Sequence, residues 1–347
     1  MRALTVHPGT KDSLALADVP EPPEADGPVL VQGLAIGLCG TDAEIVAAQY
    51  GNAPAGEDYL VLGHENLGQV ISAPADSGFQ AGDHVVGIVR RPDPVPCAAC
   101  AVGEWDMCRN GQYLEHGIDR LHGFGRERWR GEADAIVKVD PTLGALGVLL
   151  EPTTIVAKAW EQIERIGARA FWAPKQVAIT GAGPVGLLAA LISVQHGYET
   201  HVFDRVTDGP KPQLVSDFGA TYHSESLPAS GLAPDIIIEC TGVAAAILDV
   251  LAESASDGIV CLTGVSDVGK VVPVDIGAIN RNAVLHNGVI FGTVNANKRH
   301  YQLGIAALAA ADASWLARLI TRRLPLADFA QGFARHPDDV KVVLDVS

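Results

Sequence analysis

The stretch Gln176-Val177-Ala178-Ile179-Thr180-Gly181-Ala182-Gly183-Pro184-Val185-Gly186 decides the fold. Its first five residues form an apolar run of the length of a fully buried strand. The glycines that follow spell G-x-G-x-x-G, and the apolar stretch 184–196 continues as a helix. In that setting the glycines allow a tight turn, close approach of a pyrophosphate and close helix–sheet packing, while the helix N-terminus offers amide donors. Asp204 ends the next strand, 200–203, where an acidic group would hold a ribose 2′-hydroxyl. The loop residues Gly181, Gly183, Pro184, Val185 and Gly186, together with Asp204, are therefore expected to contact a dinucleotide. Asp204 favours NAD because its charge repels a 2′-phosphate; the neighbouring Arg205 leaves NADP open.

Outward from this segment the same texture continues. Helical patterns at 211–218 and 243–255 alternate with strand-like runs at 235–239 and 258–262, and this succession implies a parallel, doubly wound sheet. Before about residue 151 the chain is instead broken by Gly and Pro, with short alternating runs such as 29–32 and 83–86, the mark of a strand-rich domain. Towards the end, helices are expected at 301–311 and 314–321 and a closing strand at 340–346. The run 284–292 reads as a strand that could form an interface.

The 347 residues suit two domains. A formal charge of −16 opposes nucleic acid as a partner, since a phosphate backbone needs a basic footprint. No apolar run reaches the roughly 20 residues of a membrane span, and the N-terminal residues lack a signal-peptide pattern, so a cytoplasmic location is expected. Cys97, Cys100 and Cys108 cluster as metal ligands do, whereas Cys240 and Cys261 sit in apolar runs as packing residues.

Further motifs lie in the first half: Cys39-Gly40-Thr41-Asp42, then Gly63-His64-Glu65-Asn66-Leu67-Gly68, then Glu151-Pro152. Thiolate, imidazole and carboxylate all suit zinc, although spacing alone does not bring them together. Taken in order with the Cys cluster and the G-x-G-x-x-G loop, these motifs resemble the zinc-containing medium-chain dehydrogenases over essentially the whole chain. Val61-Leu62-Gly63-His64-Glu65, Arg90-Arg91-Pro92, Tyr113-Leu114-Glu115-His116-Gly117-Ile118, His122-Gly123-Phe124 and Gly292-Thr293-Val294-Asn295 are most similar to the glucose dehydrogenase branch.

The resemblance implies an α/β chain with a GroES-like catalytic domain, 1–154 plus 296–347, and a Rossmann domain, 155–295. It implies a catalytic zinc on Cys39 and His64 and, directly or through water, Glu65 and Glu151, with Thr41 as a proton relay. On the residues alone, Thr41 could equally cap the following helical turn. Glu115 and Asn295 are implied as hydroxyl-binding groups beside Thr41 and Glu151. Thr241, Gly242, Thr263, Gly264, Val294 and Asn295 complete the expected cofactor contacts, with Arg205 as the NADP alternative. Relatives with a second, structural zinc use four cysteines; here the first slot falls on Pro94, and Asp93 is the candidate substitute beside Cys97, Cys100 and Cys108. An Asn that touches sugar in relatives is replaced by Val89. The basic run 298–300 reads chiefly as solvated loop charge, with a cofactor phosphate as the alternative role.

The activity so implied is oxidation of an aldose at C1 to the lactone, by a homodimer or homotetramer. A polyol or secondary-alcohol dehydrogenase and a non-catalytic nucleotide-binding protein are the competing readings.

Overall fold

The computed structural model describes residues 1–266, 269 and 271–346. The chain divides into two compact units, Met1–Thr154 with Asn295–Ser347, and Ile155–Val294.

Among the described residues, the second unit carries a six-stranded parallel sheet. Its order is Thr221–His223, Glu199–Phe203, Gln176–Thr180, Ile236–Glu239, Ile259–Leu262 and Val289–Gly292. Val177, Ala178, Ile179, Ile236, Ile237 and Ile238 are wholly buried, as continuous apolar strands of a sheet covered on both faces must be. The order reverses beside Gln176–Thr180, and the turn into the helix Pro184–Gln195 lies at that point. Gly181 takes φ +91°, which only glycine adopts cheaply. A Cβ on Gly186 would sit 1.8 Å from the Gly181 carbonyl oxygen, so the third glycine is required by the fold itself.

Two expectations need correction here. Val284 and Leu285 end the helix Ile276–Leu285, and the strand begins only at Val289, because Asn287 at φ +52° and Gly288 turn the chain between them. Thr321 belongs to the strand Ile320–Pro325, the preceding helix stopping at Leu319.

Among the described residues, the first unit is built on a seven-stranded sheet in the order Ile136–Lys138, His84–Gly87, Glu65–Ser72, Val29–Gly37, Lys341–Asp345 and Ile320–Pro325. Arg128–Gly131 also pairs with Val29–Gly37. The C-terminal strand thus lies inside the sheet, with Val343 opposite Gly37, and Leu344 joins Leu4, Ile36, Ile45 and Leu62 in one apolar cluster. Each fully buried aliphatic of this kind contributes roughly 1.5–3 kcal/mol. Residues 298–300 are not loop charges. They open the helix Lys298–Ala309, where Asn297 caps the first turn and His300 is buried with its Nδ1 accepting the Asn297 N–H at 3.0 Å. Among the described residues, no helix is long and apolar enough to cross a membrane.

Gly186→Ala is expected to destabilise the second unit by about 1–3 kcal/mol through overpacking. Gly183→Ala, whose Cβ would meet nothing within 4 Å, should leave the thermal midpoint in place. Equal midpoints for the two variants would refute the packing role of Gly186.

Candidate active site

The first unit brings three expected ligands together: Cys39, His64 and Glu65 offer atoms all within 4.8 Å of one another. Cys39 is the N-cap of the short helix Gly40–Val46, and its N–H donates to the Asp42 carboxylate at 2.9 Å. This corrects the capping alternative for Thr41, since Cys39 and Asp42 do that work. Thr41 is left with its hydroxyl 4.0 Å from the Cys39 sulfur.

Asp42 is fully buried, and its Oδ1 lies 3.3 Å from His64 Nδ1. The contact fixes which ring nitrogen is turned to the carboxylate and leaves Nε2 for another partner. Burial works against a charged His64, but Asp42 and then Cys39 outweigh it, holding the imidazole well above its ordinary pKa.

Glu65 starts its strand opposite Gly37, and a side chain there would collide with it: an added Cβ would stand 2.1 Å from Glu65 Oε2. Both Glu65 oxygens accept from Lys341 Nζ, at 2.6 and 2.5 Å, and the same ammonium donates to the Leu38 carbonyl at 3.1 Å. Both side chains of this pair are 2% exposed. Burial opposes the Lys341 charge, but Glu65 and Cys39 outweigh it and raise its pKa.

Glu151 is buried at the start of the helix Leu150–Gly167, outside the tight group but within electrostatic reach of His64, Glu65 and Lys341. Its burial, opposed by His64 and reinforced by Glu65, pushes its carboxyl up to about 7. A thiolate sulfur, an imidazole nitrogen and a carboxylate oxygen in such proximity form a donor set that fits zinc.

Glu115 is buried, and its Oε1 accepts from Arg90 Nε and Nη2, both at 2.9 Å; the guanidinium in turn lies 3.5 Å from the Tyr113 ring centroid. Asn295, at φ +52°, donates to the Asp106 carbonyl at 3.4 Å and leaves its buried Oδ1 without a partner, an acceptor available to a hydroxyl. Val89 packs in the apolar cluster of the unit, and its N–H donates to the Tyr301 hydroxyl at 3.2 Å.

In the lobe, Cys97, Cys100 and Cys108 converge within 4.8 Å, but the Asp93 carboxylate does not join them. It accepts instead from the Val95 N–H and from the Asn110 amide, while Cys108 donates to Asn110 Oδ1 at 3.0 Å. The Arg109 N–H directed at Cys97, followed by contacts from Cys100, lowers that thiol to about 6; burial raises Cys100 to about 11.

In the second unit the expected cofactor residues stand at the carboxyl ends of adjacent strands. Asp204 is already engaged: Oδ2 accepts from the Ala182 N–H at 2.8 Å and from Lys211 Nζ at 3.2 Å, and Oδ1 from the Val206 N–H at 3.1 Å. Arg205 is exposed beside it. Thr241, Gly242, Thr263 and Gly264 are gathered on Glu239, which is fully buried at the end of its strand. Its side chain accepts from the Thr241 N–H at 2.7 Å and the Gly242 N–H at 3.1 Å, and its carbonyl from Thr263 Oγ1 at 2.8 Å and the Gly264 N–H at 3.1 Å. Val294 is exposed, and its carbonyl accepts from Lys158 Nζ at 3.0 Å.

The roles of Asp42, Lys341, Arg90, Asn110, Lys211 and Glu239 were not anticipated from the sequence, although Asp42 and Arg90 stand in the quoted motifs. The available signal was one charged residue closing or opening an apolar run, as in Ile236–Glu239 and Lys341–Asp345.

Residues 144–346 match the family described as glucose dehydrogenase C-terminus, and residues 25–141 the alcohol dehydrogenase GroES-like domain. The chain is 39% identical over 357 residues to the glucose 1-dehydrogenase of Methanocella arvoryzae, covering 100% of this chain and 99% of that one. Identity to the glucose 1-dehydrogenase of Thermoproteus tenax is 39% over 353 residues, with the same coverage. Among solved structures, the Haloferax mediterranei glucose dehydrogenase in complex with NADP, Zn and gluconolactone matches with a TM-score of 0.92 and 31% identity, covering 100% of this chain and 99% of that one.

Lys341→Met would leave Glu65 buried without its cation, an expected loss of about 3–5 kcal/mol in the metal-free protein. The loss should shrink when zinc is added, because the metal restores a positive charge beside the carboxylate. Thermal unfolding with and without zinc measures both; an unchanged metal-free midpoint would mean that the pair contributes nothing.

Proposed function

Because the chain belongs to the zinc-containing medium-chain alcohol dehydrogenases, in their glucose dehydrogenase branch, we propose that it oxidises glucose or a close aldose at C1 to the lactone with NAD(P). The observation that carries this reading is the convergence of Cys39, His64 and Glu65 in a chain alignable end to end with glucose 1-dehydrogenases. Cys39 and His64 would hold the zinc, with Glu65 and Glu151 as carboxylate ligands, direct or through water. When bound, zinc supplies a Lewis acid for the substrate oxygen and nicotinamide supplies the hydride acceptor.

The chain's own residues do the rest. Asp42 orients the His64 ring. Lys341 neutralises Glu65, so that this carboxylate reaches a metal only by exchanging away from the ammonium. Thr41, beside the Cys39 sulfur, offers the hydroxyl through which the sugar's O1 proton leaves. Glu115, fixed by Arg90, and the open acceptor of Asn295 supply sugar-hydroxyl contacts. The three thiols of the lobe suit a second, structural zinc, with Asp93 able to become the fourth ligand on leaving Asn110. Assembly as a homodimer or homotetramer would use the outer strand Val289–Gly292, where Ile290 is exposed together with nearby Val284 and Leu285.

Purified protein assayed on aldoses and polyols with both cofactors should oxidise glucose faster than sorbitol, and should lose activity on chelation. Close to two zinc ions per chain are expected. Faster turnover of a polyol would overturn the substrate assignment, and one zinc per chain would empty the lobe.

The cofactor preference rests on a charge count at Asp204. Lys211 offsets the Asp204 carboxylate and Arg205 stands exposed beside it, which supports use of NADP as well as NAD. Lys211→Met is expected to lower kcat/KM for NADP at least tenfold more than for NAD; an equal effect on both would refute this role.

A further inference from the structure

A cavity of about 660 Å³ lies in the first unit. None of Cys39, His64, Glu65, Glu115, Glu151 or Asn295 borders it. Leu114 and His116 do, and along the strand Leu114–His116 they alternate with Glu115, so the cavity lies across that strand from the Glu115 carboxylate. Its size is within the usual range for small-molecule sites, roughly 300–1,000 Å³.

The unusual group in its wall is Arg126. This residue is only 6% exposed; its Nε is buried without a hydrogen-bond partner, and no described carboxylate forms an ion pair with it. A buried charge left in this state is costly unless something pairs with it. Asp26, exposed at the rim, and Glu57, held by His122 Nε2 at 3.0 Å, favour the Arg126 charge from a distance but form no ion pair with it; Glu21 is held by Arg128, and Glu132 is exposed. Arg91 also lines the cavity, and its one ion pair, at 3.8 Å, is to the exposed Asp134. Arg91 and Arg126 both act on His116, whose pKa is pushed to about 3 by burial first, so the imidazole adds no competing charge. The rest of the wall is mixed, with aliphatic and proline side chains beside the rings of Tyr59, His122, Phe124 and Trp129. Tyr59 stacks on His122 with centroids 4.8 Å apart, and Phe124 meets Trp129, whose buried indole N–H is also unpartnered. Unsatisfied groups on this wall are donors, so the complementary ligand is an acceptor.

We propose that this cavity binds a small organic carboxylate with a ring-sized apolar body, the carboxylate on the Arg126 guanidinium near Arg91 and the body against Tyr59, His122 and Phe124. The planar, two-pronged guanidinium matches a carboxylate edge, and the aromatic wall gives the body its contact area. The site is independent of the zinc and cofactor assignments.

Titration calorimetry on the full-length, zinc-loaded protein tests this with three probes: benzoate, its neutral relative benzyl alcohol, and inorganic phosphate. Benzoate should bind saturably at one per chain, and the other two at least tenfold more weakly. Arg126→Met should weaken benzoate at least tenfold while glucose oxidation is unchanged, and Tyr59→Ala should weaken benzoate without affecting phosphate. In the unaltered protein, benzoate should also shift the indole N–H resonance of Trp129, a readout that needs no variant to fold. Absence of saturable benzoate binding, equal binding of benzyl alcohol, or insensitivity to Arg126→Met would overturn the proposal. Phosphate binding as tightly as benzoate would overturn the apolar-body half and leave a bare anion hole.

Discussion

The contact between Lys341 and Glu65 is the constraint on which the catalytic unit depends. Asp42, Glu65 and Glu151 place three buried carboxyl groups, beside the half-buried Cys39 thiol, around one imidazole. Without an internal cation this concentration would be strongly unfavourable, since desolvation costs several kcal/mol per ion. Lys341 supplies that cation from the far end of the chain, and Gly37 and the Leu38 carbonyl provide the space and the second acceptor it needs. In the zinc site proposed above, the same contact would also set how readily the carboxylate leaves for the metal.

The nucleotide-binding unit uses acidic residues differently. Glu239 gathers the amides and hydroxyls of two loops so that Thr241, Gly242, Thr263 and Gly264 are presented together. Asp204 does the same for the glycine turn through the Ala182 N–H, and accepts Lys211 as well. Carboxylates at strand ends therefore shape the loops before any cofactor arrives.

Most of the architecture was legible because parallel strands buried on both faces leave uninterrupted apolar runs, and because the glycine loop has strict steric needs. Interruptions were misread where a local turn overrode hydrophobicity, as between Leu285 and Val289, and where charge disguised a helix start, as at 298–300. At the site, Cys39, His64 and Glu65 were legible in company. Lys341 was not, because its partner lies 276 residues away and nothing in local sequence reports a contact of that range. Asp93 illustrates the reverse case: its composition suits a ligand, but its carboxylate is taken up by Val95 and Asn110. Sequence names donors well and states poorly whether they are already engaged.

The position of the strand Lys341–Asp345 also orders events in time. It sits between Val29–Gly37 and Ile320–Pro325, so the first unit's sheet has a gap until residues 341–345 have left the ribosome. By then the whole segment Ile155–Val294 has been synthesised and can close its own sheet, domains generally folding as units during translation. The unit that begins first is therefore the one that finishes last, and until it does Glu65 has no cation. A nascent chain halted before Lys341 would hold a finished nucleotide-binding unit beside an unfinished catalytic one.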